Sequence, residues 1–291
     1  KHQAADQYTS QNQGGVTGPL PYLYYDYDKD DIRRDITCIP YEWSKDLVDG
    51  KSYQQLRGIN KWCFGKLRYE WMKSERALSL GKNDDGVNWQ YMRLADVYLM
   101  AAEAINALDN DQQTAWNYMK PVLDRALPAA KVEALKAKYT ANQDAFFNGI
   151  VEQRAFEFAG EMLRKADLIR WGIIDEKMAE AKQKLTDLSN RAGSYADLPL
   201  KLYFKNEGEN IVIYGLNHGD TDAEGAALEG YSSTKWFVDS KTNANIITED
   251  YINGLYVGKP SLNCLWPIWQ TFIEKSNGLL NNDGIYGQLS D

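Results

Sequence analysis

The sequence predicts a mainly α protein in which a tetratricopeptide-like helical hairpin and further helices pack with an irregular, loop-rich lobe containing short strands. Three observations point that way. From Tyr91 to Leu108 apolar residues recur every three or four positions, the period of a helix with one buried face. Proline supplies only 8 of 291 residues, below its usual share of roughly 5%, which favours helix over a turn-rich all-β chain. Glycine- and asparagine-rich stretches with short aromatic or apolar runs are confined to the two ends.

Residues 1–87 read as an irregular aromatic-rich segment, where Gly14-Gly15, Gly18-Pro19 and Gly81 punctuate runs such as Tyr22-Leu23-Tyr24-Tyr25. A helical part follows over 88–190. Its first helix is expected from about residue 89 to 108 behind an Asn88 cap, with Tyr91, Leu94, Val97, Tyr98, Ala101, Ile105 and Leu108 on the apolar face. The second is expected from Asp111, as N-cap, to about Leu127 before Pro128. Ala104, Leu108, Ala115, Tyr118 and Ala126 around the polar turn Asp109-Asn110-Asp111 give this pair its tetratricopeptide-like fingerprint. One hairpin cannot close a solenoid, so it must pack on the rest of the chain or on repeats outside it. Further helices are expected at about 131–139, 143–160 and 165–190. The C-terminal lobe, 191–291, opens with a hairpin signal in which Lys201–Phe204 and Ile211–Tyr214 flank Asn206-Glu207-Gly208-Glu209. The three parts are expected to form one integrated domain.

Against 33 Lys+Arg stand 41 Asp+Glu, a formal charge of −8. This disfavours nucleic acid as a partner, because neutralising phosphates needs a basic surface. No run approaches the roughly 20 apolar residues of a membrane span; the best, Leu94 to Leu108, contains Asp96 and Glu103. Cys38, Cys63 and Cys264 are too scattered for a disulfide framework or a thiolate zinc site and read as buried structural thiols.

His2 and His218 are the only histidines, and no G-x-S-x-G, H-E-x-x-H, Walker or G-x-G-x-x-G pattern occurs. Most nucleophilic, metal and nucleotide chemistry therefore lacks its residues. The densest charge series is Glu152, Arg154, Glu157, Glu161, Arg164, Asp167 and Arg170, mostly three or four apart. It reads as a structural ion-pair ladder between helices: a nearby arginine holds a carboxylate ionised, whereas a general acid needs a raised pKa. No cofactor is expected. One loop, Asp220 to Gly225, spaces Asp220, Asp222 and Glu224 as calcium ligands, but Tyr231 stands where a bidentate Glu belongs.

The aromatic content is high, with 9 Trp, 19 Tyr and 8 Phe. Tyr98, Trp116, Phe146, Phe147 and Phe158 fall within helical periodicity and are expected in the core. Those of the irregular segment lie outside it, in loops of the kind that carry binding residues, and a flat ring matches the C–H face of a pyranose. Tyr24, Tyr25, Trp43 and Trp71 are therefore the expected sugar platform, with Asp26 and Arg33 beside them to meet hydroxyls.

Three stretches resemble the SusD/RagB family of outer-membrane nutrient-binding proteins. Tyr91 to Ala104 is similar to that family's R-x-A-D-V-x-L-M-x-A-E-A helix. Arg154-Ala155-Phe156-Glu157-Phe158-Ala159-Gly160-Glu161, continued by Arg164 and Asp167-Leu168-Ile169-Arg170-Trp171-Gly172, is close to R-x-x-E-F-x-G-E-x-x-R-x-x-D-L-I-R-W-G. Leu265-Trp266-Pro267-Ile268, with Asn282 and Gly284-Ile285-Tyr286, looks like the terminal L-W-P-I-P and N-P-G-Y signature, departing from it at Trp269 and Asp283. The resemblance covers the C-terminal half to two-thirds of a typical member. It implies that N-terminal helical repeats and a lipidated cysteine belong to a region missing from this sequence.

It further implies a surface-exposed, lipid-anchored protein of the cell outer membrane without catalytic activity. Such a protein captures an oligosaccharide or polysaccharide and hands it to a SusC-like TonB-dependent transporter. The matching motifs are scaffold in that family, and ligand residues vary from member to member. Two readings of other classes are a helical-repeat protein that binds a peptide or protein partner and a glycoside hydrolase on an α-helical scaffold.

Overall fold

The computed structural model describes residues 1–291 except 4, 11, 13, 74–77, 79–87, 239–241, 243, 265 and 283–291. Gly81, Leu265, Asp283, Gly284, Ile285 and Tyr286, singled out above, lie outside the described residues. The chain is mainly helical, with small antiparallel sheets in the segments flanking the helices.

The N-terminal segment carries two short helices, α1 (Tyr22–Asp26) and α2 (Ile32–Thr37), and the helical part begins with α3 (Leu94–Asp109) and α4 (Gln112–Asp124). Helix α3 starts at Leu94, later than the Asn88 cap implies, because Arg93 is extended (φ −136°, ψ 160°). Its guanidinium is held by Glu157 and Glu161. Asn110, left-handed at φ 51°, ends α3. Asp111 caps α4 by accepting from the Thr114 N–H at 2.9 Å. Pro121 removes one ladder bond inside α4, which stops at Asp124 and leaves Ala126 and Leu127 in the following turn.

Next come α5 (Ala129–Tyr139), α6 (Gln143–Glu157), α7 (Arg164–Arg170) and α8 (Ile174–Asn190). The single helix expected over 165–190 is thus two, broken at Gly172, whose φ is +70°. Helix α5 crosses α6 closely because Gly149 has no side chain: a Cβ there would stand 2.6 Å from the Tyr139 ring.

Two cores result. The helical core joins Leu99 and Ala102 of α3, Trp116, Met119 and Leu123 of α4, Val132 and Tyr139 of α5, and Phe146 and Ile150 of α6. The buried stripe of α3 is Ala95, Leu99, Ala102 and Asn106, one residue round from the expected face. Leu94, Val97 and Leu108 point outward instead, Leu108 being 84% exposed. The mixed core joins Tyr24, Tyr25, Tyr27, Ile59 and Trp62 from the N-terminal segment to Leu185 and Leu188 of α8. Tyr195, Leu216, Trp236 and Ile247 from the C-terminal lobe complete it.

The strands tie the same two ends together. Strand β1 (Cys38–Ile39) pairs with β4 (Cys63–Phe64), and β2 (Tyr41–Val48) turns into β3 (Lys51–Leu56) through Asp49-Gly50, both at positive φ, as a tight hairpin requires. In the C-terminal lobe β5 (Lys201–Glu207) lies between β6 (Asn210–Tyr214) and β7 (Ser232–Lys235). Gln54 joins the two sheets: its N–H donates to the Glu209 carbonyl at 2.8 Å and its side chain accepts from the Ile211 N–H at 3.0 Å. The lobe also carries α9 (Asp222–Ala226), α10 (Glu249–Asn253) and α11 (Gln270–Lys275). Cys38 and Cys63 are buried free thiols, while Cys264 is half-buried.

Candidate functional site

The expected aromatic platform does not form. Tyr24, Tyr25 and Trp43 are 3%, 5% and 1% exposed. Tyr24 donates to Asp35 at 3.0 Å beneath the Arg34 guanidinium. Trp43 is stacked on His2, packs against Tyr8 and donates from Nε1 to Glu70 at 2.7 Å. Only Trp71 of the four is open to solvent, and Arg68 lies over its ring at 4.6 Å. The reason is tertiary: Tyr24 and Tyr25 enter a core completed by the C-terminal lobe, and Trp43 is covered by His2 and Tyr8 from the start of the chain, so rings outside any helical period are nevertheless interior.

The two polar residues expected beside that platform are engaged in ion pairs. Asp26 accepts from Lys184 at 2.8 Å and from the Tyr195 hydroxyl at 2.9 Å. Arg33 is buried, bidentate on Asp31 and bonded to Gln153 at 2.9 Å and Glu157 at 3.3 Å. The calcium candidates do not converge either. Asp220 caps the Gly215 and Asn217 N–H groups, Asp222 those of Leu200 and Lys201, and Glu224 accepts from the Tyr214 and Thr221 hydroxyls. Among the described residues no three His, Cys, Asp or Glu side chains are grouped as a metal site.

The charge series is built across elements rather than along one helix. Arg154 lies between Asp96 of α3 at 2.6 Å and Asp167 of α7 at 2.7 Å, all three nearly inaccessible. Three arginines, Arg93, Arg125 and Arg33, meet Glu157. Burial alone would raise the Glu157 pKa, but those guanidiniums outweigh it and hold the carboxyl below its ordinary range. Arg170 joins Asp167 to Glu103, and Glu152 pairs with Lys138 and accepts from Tyr139. Arg164 is the exception. Its Nη1 donates to the Val151 carbonyl at 2.8 Å, and among the described residues no carboxylate oxygen lies within 4.0 Å of it.

Two clefts border this charge centre, and sequence reasoning located neither. The larger, about 850 Å³, lies between Gly18–Asp26, α6 and α8, with Tyr22, Asp26, Asn148, Glu152, Arg164 and Lys184 among its lining residues. The smaller, about 490 Å³, is walled by Ile32, Leu67, Trp89, Arg93, Arg125 and Glu161. Both are in the size range of small-molecule sites. Gly160 borders both; its φ of +81° and the Phe64 ring, 2.9 Å from where a Cβ would stand, call for glycine there. Tyr22 is deeply set, and burial, with Asp26 beside it, pushes its phenol up to about 12. It therefore presents a neutral hydroxyl to the larger cleft. Asp26 was the one sequence-predicted residue lining this cleft, and Arg33 the one lining the other.

Comparison with known proteins agrees with the motifs. A "SusD-like protein" of Formosa agariphila is 38% identical over 111 residues, which is 38% of this chain and 20% of that protein. The crystal structure of a SusD homolog from Bacteroides thetaiotaomicron aligns with a TM-score of 0.43 at 20% identity, over 65% of this chain and 40% of that one. The chain thus spans well under half the length of these relatives. The family model of SusD matches residues 24–285, nearly the whole sequence from α1 to the terminal signature, and the chain belongs to the SusD family.

Proposed function

We propose that this protein is a non-catalytic glycan-binding protein of the outer-membrane surface that captures an oligosaccharide and delivers it to a SusC-like TonB-dependent transporter. The family match over residues 24–285 carries this reading. SusD-like proteins are generally non-catalytic binders associated with such transporters, and they are surface lipoproteins of the outer membrane. Among the described residues no helix is long and apolar enough to cross a membrane. The larger cleft supports the reading chemically, since it offers an oligosaccharide-sized space in which a tyrosine, an amide and charged donors are set among apolar walls.

Two carboxylates of the charge centre are poor candidates for a hydrolytic acid. Glu157 and Glu103 are both held below their ordinary range by arginine partners in spite of burial, the opposite of what a general acid needs. Titration of the chain against a panel of neutral and charged oligosaccharides, with product analysis in parallel, tests both halves. Binding in the micromolar to millimolar range without cleavage is expected, and turnover lost on replacing one carboxylate would sink the non-catalytic half. A protein-partner role for the hairpin is favoured by one observation, the outward apolar stripe Leu94, Val97, Met100 and Leu108 of α3.

A further inference from the structure

Three of the four cations lining the larger cleft are neutralised within it. Lys184 bonds Asp26 and Glu180, each at 2.8 Å; Lys177 bonds Glu180 at 2.7 Å; Lys138 bonds Glu152 at 3.1 Å. The fourth is Arg164, held among the described residues only at the Val151 carbonyl. Four cations and three carboxylates line the cleft, so it is net positive on a chain whose charge is −8.

A guanidinium carries five N–H donors in a planar fork, and Arg164 uses one of them on protein. Its other nitrogens are not enclosed: buried polar atoms without a partner occur at Tyr25, Thr37, Trp116 and Trp236 and not at Arg164. The free donors are therefore accessible, and Arg164 lines the cleft. Burial disfavours the charge and holds the Arg164 pKa below the ordinary arginine range, with Tyr22, Asp167 and Glu180 offsetting part of that cost from a distance. An anion placed against the fork would supply the missing partner.

We propose that the larger cleft is a site for an anionic glycan, in which Arg164 takes the carboxylate or sulfate ester of one sugar residue while Tyr22 and Asn148 meet the rest of the ring. This rests on the glycan-binding reading and narrows it to acidic substrates. It also gives Arg164 a role beyond the scaffold in which its motif places it.

Calorimetric titration of the chain with oligogalacturonate, with its neutral methyl ester and with a sulfated galactan oligosaccharide tests the proposal. One or both charged probes are expected to bind about tenfold tighter than the ester at low salt, an advantage that shrinks as salt is added. Which of them does so separates carboxylate from sulfate as the recognised group. Arg164→Gln should remove most of the advantage of the charged probes over the ester. Because Arg164 also holds Val151, a second variant leaves that bond alone: Asn148→Asp, exposed on the α6 wall, should weaken the charged probes several-fold. Equal binding of acid, sulfate and ester, or a full preference surviving in both folded variants, overturns the proposal and leaves glycan binding standing. Failure of all three probes, together with every glycan in the wider panel, overturns both.

Discussion

The two cores are built from different kinds of information. The helical core draws on residues from Ala95 to Phe158, nearly consecutive in the chain, and its members recur at helical spacing. The mixed core is stitched from the two ends: Trp62 stacks on Trp236 at 5.5 Å, and Tyr25 packs against Tyr195 and Trp236. Burial in the first follows from local period, and burial in the second follows only from a partner on the far side of the helical part. An aromatic residue that falls outside a helical period is therefore not marked as surface; its partner is merely remote.

The largest effect is expected where the helical core is fastened by charge. Arg154 lies between Asp96 and Asp167 with all three side chains no more than 10% exposed. Removing the guanidinium strips Asp96 of its cation and leaves Asp167 with Arg170 alone, and breaking a buried pair in this way costs about 3–5 kcal/mol. Arg154→Ala should show that loss in urea unfolding; a change below about 1 kcal/mol would mean the cluster is hydrated and not part of the core.

The junction between the cores is expected to respond to acid. Glu157 ends α6, where Arg33 from the N-terminal segment meets Arg93 and Arg125 from the helical part. Its folded pKa is depressed below the ordinary 4.5. The group therefore contributes stability that is fully present above the unfolded value and is lost as pH falls through the folded one. Unfolding midpoints should decline on acidification below about pH 4.5, and Glu157→Gln, already weaker at neutral pH, should show a flatter acid limb. An identical acid limb in both proteins would remove Glu157 from the account.

The same contrast governs what could be read from sequence. The α3–α4 hairpin, its Asp111 cap and the buried Trp116, Phe146 and Phe158 were legible because helix period and capping are local. The face of α3 was misread by one residue because both of its stripes are apolar and only packing chooses between Leu99 and Leu94. Arg164 looked equivalent to Arg154, ten positions away on the same spacing. The three-and-four rule holds only within one helix, and left-handed Gly160 (φ 81°) and Met162 (φ 61°) turn the chain between the two arginines. The clefts, made by elements remote in sequence, left no local trace beyond Asp26 and Arg33.

The smallest expected effect separates two tyrosines of the mixed core that sequence cannot tell apart. Tyr27 donates its hydroxyl to the Phe156 carbonyl at 2.7 Å, in the interior where the two cores meet. Tyr25, equally buried, has no partner for its hydroxyl among the described residues, and burial pushes its phenol well above 10. Tyr27→Phe removes a satisfied bond and leaves the Phe156 carbonyl short of a donor, a loss of about 1–2 kcal/mol. Tyr25→Phe removes only a group whose desolvation nothing repays, so its effect should lie between zero and a gain of about 1 kcal/mol, with packing kept because the ring is unchanged. Paired urea melts of the two variants resolve a difference of that size. If Tyr25→Phe proved as damaging as Tyr27→Phe, the Tyr25 hydroxyl would have to be bonded through water between the lobe and the N-terminal segment. The mixed core would then be held at that point by a polar bridge rather than by ring packing alone.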